Sequence, residues 1–90
     1  MMATFRSIPI LAKEIKSEMK SLGINILRTA QNKSGVLITI INTIENQQKT
    51  IEYFNDNNMA IHPTLVESKI IIGSTLSYID YGTIYKWEKL

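Results

Sequence analysis

The sequence predicts an α+β fold in which two helices lie on one face of an antiparallel sheet. Three features carry that expectation: a helix-spaced apolar run closed by Gly23, two β-branched runs split by a short polar turn, and a second helical stretch that leads into another extended segment. The chain has 90 residues, which makes one small domain and too few for two. Its 44% hydrophobic and 20% charged content is ordinary for a globular domain. A chain of this length buries only roughly 60–65% of its unfolded surface, so pairing with a second copy would help it.

The elements follow in order. Residues 2–6 read as an edge strand. Ser7 then suits a helix N-cap, because its hydroxyl can accept from a free amide of the first turn. Pro9 falls where a missing amide proton costs nothing. Ile8, Leu11, Ala12, Ile15, Met19 and Leu22 recur at spacings of three and four, one buried helix face. Gly23 stops the helix because it enters the left-handed conformation without a Cβ penalty.

Residues 24–30 and 36–42, joined by QNKSG, read as an antiparallel hairpin. The near-continuous apolarity of VLITIIN requires cover on both faces, which a helix layer plus a partner sheet would supply. Asn42 and Glu45 form a capping-box pattern opening a second helix, with Ile44, Ile51 and Phe54 as its apolar stripe and Asn57 or Asn58 as its stop. Residues 59–72 are extended, with an edge or bulge at His62-Pro63 because Pro cannot donate to a ladder. The resulting order, βαββαβ, is that of a ferredoxin-like sandwich spanning residues 1–72. Residues 73–90 are expected to add an aromatic β-hairpin to the same domain, turning at Asp80-Tyr81-Gly82 between strands 75–79 and 83–87.

Composition excludes several classes. Without cysteine there are no disulfides, thiolate metal sites or Cys nucleophile. No apolar run approaches membrane-spanning length and no signal peptide is visible, so a cytoplasmic protein without membrane partners is expected. A net charge of +2 makes a thin basic footprint, and the strands lack stacking aromatics, so nucleic acid is a poor partner. Carboxylates are scattered without metal-ligand spacing, His62 is the lone histidine, and phosphate-cradling motifs are missing. No catalytic residue, metal or cofactor is expected. The richness in Ile, Asn and Lys is that of an AT-rich coding genome, bacterial or phage.

The run from Leu11 to Gln31, LAKEIKSEMKSLGINILRTAQ, resembles the first helix and second strand of an ACT domain, where L-A-x-x-I leads through Gly into I-N-I. GVLITII and IEYFNDNNMAI resemble later parts of the same family, so the likeness covers about residues 2–70. The resemblance implies a regulatory domain that dimerises and binds an amino acid or similar metabolite at a subunit interface. Carried over, the ligand loop is Arg6, Ser7, Ile8 and Pro9, with Asn25 as the matching strand residue. The chain departs from the family's pattern at Pro9, which stands where the family has a Gly that lets backbone approach the ligand.

The tail supplies the competing reading. Tyr78, Tyr81, Tyr85 and Trp87 concentrate four of the seven aromatics in a hairpin too small to stand alone. They are candidate protein-interface anchors, since Tyr and Trp bring large area at low entropic cost. The leading expectation is a non-catalytic homodimeric binding module, such as a phage- or plasmid-encoded inhibitor or adaptor acting on a protein target. The alternative is an ACT-like metabolite sensor.

Overall fold

A computed structural model describes residues 5–33, 35–61, 69–72 and 77–89. It is a small α+β fold with two helices and a curled antiparallel sheet. The order is β1 (Phe5–Ile8), α1 (Ala12–Ser21), β2 (Ile26–Gln31), β3 (Val36–Ile41), α2 (Ile44–Asp56), β4 (Met59–Ile61), β5 (Lys69–Ile72) and β6 (Ser77–Lys89). Among the described residues, no helix is long and apolar enough to cross a membrane.

The sheet departs from the ferredoxin-like order. The long strand β6 is its hub: β3 and β1 pair with one side, β5 and β4 with the other, and β2 pairs with β3. β1 therefore pairs with β6, where a ferredoxin-like sheet would set it beside β3. The expected tail hairpin is replaced by this single strand. Asp80-Tyr81-Gly82 has turn chemistry, yet the chain runs straight through it because neighbours on both sides hold its ladder. The local irregularity survives as a bulge. Val36 faces Ile84 and Ile38 faces Tyr81, so β6 spends an extra residue there, at Gly82 and Thr83.

The start of α1 also differs. Ser7 lies in β1 opposite Trp87, not at a helix cap. Pro9 disfavours helical torsions at Ile8 and so keeps β1 extended. The helix begins only at Ala12, with Leu11 in the cap position and no side-chain cap of its own. Ile15 and Met19 are buried as the spacing implies, while Leu11 and Leu22 are exposed and Ile10 enters the core instead. Gly23 does end the helix, at φ +80°. The amides of Gly23 and Ile24 donate to the carbonyls of Lys20 and Met19 at 3.0 Å each, the paired bonds of a Schellman stop.

β2 and β3 form the expected hairpin, with a bulge at Leu27. Val36, Ile38 and Ile40 are fully buried under the helices with Ile15, Met19, Tyr53, Phe54, Ile79 and Ile84. α2 presents another face than its sequence suggests. Thr43, not Asn42, is its cap, its hydroxyl accepting from the Asn46 amide at 3.1 Å. The helix buries Asn46, Thr50, Tyr53 and Phe54 and turns Ile44 and Ile51 outward, 76% and 51% exposed. Asn58 closes the helix at φ 55°, as an Asn can. His62-Pro63 lies outside the described residues.

Candidate functional site

Among the described residues, three places could do chemistry or recognition. The first is the β1–α1 loop. Ser7, Ile8 and Pro9 line a recess of about 310 Å³ with Ile10, Gln31 and Lys33. Gln31 organises it. Its side-chain oxygen accepts from the Ala12 amide at 2.8 Å, and its side-chain nitrogen donates to the Ile10 and Gly35 carbonyls at 3.0 and 3.2 Å. One amide thus caps α1 and ties it to the β2–β3 turn. A carboxylate seeking the Ala12 amide would have to displace it.

The other expected ligand residues are elsewhere. Arg6 pairs with Glu88 at 2.6 Å on the exposed end of β1. Asn25 sits beyond the far end of β2, about 20 Å along the strand from Gln31. Its backbone carbonyl accepts from the Ile41 amide at 3.1 Å, and its amide donates to the buried Asn46 side chain at 3.4 Å. Loop and Asn25 are therefore not brought together.

The second place is the sheet face turned away from the helices. Register splits the β6 side chains between the two faces. Ile79, Tyr81 and Ile84 lie opposite Ile40, Ile38 and Val36, toward the helices, and Tyr81 stacks edge-on against Phe54 at 5.5 Å and 85°. Tyr81 is thus half-buried and packs against the core of its own domain. Tyr78, Asp80, Tyr85 and Trp87 fall on the other face. Tyr85 is buried there, only 5% exposed and outside the helix-side cluster. Tyr78 and Trp87 are half-buried, as are Leu37 and Ile41 beside them.

A polar row crosses this face. Arg28, Thr39 and Asp80 occupy successive register positions on β2, β3 and β6. The Arg28 Nε donates to Thr39 Oγ1 at 3.4 Å, and the same hydroxyl donates to Asp80 Oδ1. Thr39 is 3% exposed, so its hydroxyl is satisfied as both acceptor and donor where water scarcely reaches. The one polar letter inside VLITII was the available signal for this row, but its partners depended on an unforeseen β3–β6 pairing.

The third place is a cleft of about 500 Å³ between the helices, with Glu18, Glu52 and Asp56 on its walls beside Lys49 and Tyr53. Tyr53 Oη donates to Glu18 Oε2. Burial, that hydrogen bond and the nearby carboxylates Glu18 and Glu14 all push the Tyr53 phenol far above its ordinary range. It is a proton holder and a structural donor near neutral pH, not a base. Among the described residues no group of three His, Asp or Glu is placed to hold a metal ion. No protein-family model, curated protein or solved structure matches this chain.

Proposed function

We propose that this chain is a non-catalytic binding module that forms a homodimer and works through protein–protein contacts. The observation that carries it is the composition of the second sheet face. Leu37, Ile41, Tyr78 and Trp87 stand there half-exposed around the buried Tyr85 and Thr39. Apolar and aromatic groups around a closely packed centre are the makings of an interface, since such anchors lose water at little entropic cost. Sedimentation of the purified chain tests this reading. A dimer is expected at tens of micromolar, with Trp87→Asp weakening it at least tenfold, a loss of about 1.4 kcal/mol. A strict monomer would refute it.

A second reading rests on the loop recess. Its volume suits an amino acid, its walls include three of the residues expected for an ACT-like ligand loop, and Lys33 adds a cation for a carboxylate. Thermal unfolding with each amino acid at millimolar concentration decides it. A ligand at a hundred times its dissociation constant stabilises by about 2.7 kcal/mol. That raises Tm by roughly 4–8 °C per kcal/mol. No shift with any amino acid removes amino-acid sensing.

A further inference from the structure

The second face carries charges arranged to match a copy of itself. Arg28 and Asp80 lie one strand to either side of Thr39, about 10 Å apart across the sheet. Both belong to the face opposite the helices. Arg28 is exposed and Asp80 half-buried. Along β3, Leu37 and Ile41 flank Thr39 on that same face and are half-exposed. A rotation of 180° about a line running above β3 and parallel to it would lay Thr39 over Thr39. The same operation would bring Arg28 of each copy over Asp80 of the other. Leu37 and Ile41 would meet their own counterparts on the axis. Two sheets stacked with aligned strands, about 10 Å apart, are a standard packing geometry.

Building on the homodimer proposed above, we infer that the occupant of this face is a second copy of the chain, seated about a two-fold axis over β3 and held in register by two reciprocal Arg28–Asp80 pairs. The axis makes each contact occur twice, the defining property of an isologous interface. The charges set orientation and exclude other registers, while the apolar groups supply the burial. Within one chain, Thr39 keeps Arg28 and Asp80 in place on the sheet without joining them to each other.

Mixing of charge variants tests this directly. In a dimer of Arg28→Glu, each introduced carboxylate would face Asp80 of the other copy. In a dimer of Asp80→Arg, each introduced guanidinium would face Arg28 of the other copy. Each variant alone should dimerise at least tenfold more weakly than the wild type in sedimentation. An equimolar mixture of the two should recover a heterodimer, because each mixed contact then pairs a carboxylate with a guanidinium: two carboxylates never meet, nor two guanidinium groups. A cost confined to a single chain cannot be repaired by mixing. A wild-type dimer with unaffected single variants, or with variants that do not recover on mixing, overturns the axis over β3 and leaves the homodimer standing. A monomeric wild type overturns both. Should circular dichroism show Asp80→Arg unfolded, Asp80→Asn retains an acceptor for Thr39. It should weaken the dimer and reduce its salt dependence, and an unchanged affinity and salt response would overturn the inference.

Discussion

Gly35→Ala should be among the most destabilising single-methyl additions available in this chain. Gly35 sits at the entry to β3, where a Cβ would lie 1.9 Å from the Ile84 carbonyl oxygen and 2.8 Å from its carbon. The shortage of space dominates the cost. Those neighbours are backbone atoms of the central strand, and no rotamer change relieves them. Overpacking of this kind typically costs about 1–3 kcal/mol and occasionally more. Separating β3 from β6 would also strain the Asn32–Gly35 bonds, each 2.9 Å, and such bonds contribute roughly 0.5–1.5 kcal/mol apiece. A total of about 3 kcal/mol or more is expected, out of a stability of roughly 5–13 kcal/mol for a domain this size. Thermal unfolding by circular dichroism should show Tm lowered by at least about 12 °C. The comparison is Gly23→Ala, which forces a left-handed alanine costing about 1–2 kcal/mol while its nearest neighbour, Lys49 Nζ at 3.2 Å, can swing away. A Gly35→Ala protein within about 4 °C of the wild type would refute the close β3–β6 approach and with it the central position of β6.

Gln31→Ala removes the cap of α1 and two further bonds to the loop, so a loss of about 1–2 kcal/mol is expected in urea unfolding, with α1 exchanging its amides faster. Tyr53→Phe should alter alkaline stability. The folded-state pKa of Tyr53 is raised above its unfolded value near 10.0, so its contribution is complete below about pH 10 and is lost as pH climbs toward the folded value. Stability should fall above pH 10 in the wild type and fall less steeply in Tyr53→Phe, with a residue of the slope left to Tyr81, which burial also raises. Equal slopes would show that burial and the Glu18 contact do not raise the Tyr53 phenol. Ile51→Ser should change stability by less than about 0.5 kcal/mol, because that side chain faces solvent. Ile15→Ala, at a site 1% exposed, should cost about 2–5 kcal/mol, and the pair of measurements fixes which helix faces are buried.

Local chemistry was well written in the sequence. The Gly23 stop, the β2–β3 hairpin, Ile15 and Met19 in the core and the Asn58 cap all follow from rules that act within a few residues. Long-range pairing was not. The turn-like letters Asp80-Tyr81-Gly82 serve a bulge because β6 has neighbours on both sides, and those neighbours are set by β1, β3, β4 and β5 together. On α2 the buried face takes Asn46 and Thr50 in place of Ile44 and Ile51, and both polar side chains are satisfied there by backbone carbonyls, of Ile41 and Asn46. The role of Asn46 is legible only in three dimensions. Its side chain bonds the Ile41 carbonyl at 3.0 Å and the Asn25 amide, joining α2 to the ends of both hairpin strands. Of the expected site residues, Ser7, Ile8 and Pro9 do share a recess, while Tyr81 lies half-buried against Phe54 on the helix side of the sheet.

The most direct measurement is the sedimentation velocity of the wild-type chain across a concentration series reaching tens of micromolar, alongside Trp87→Asp. The expected result is a wild-type dimer that the substitution shifts toward monomer while leaving secondary structure intact. A wild-type chain that stays monomeric throughout would contradict a binding module built on the second face of this sheet.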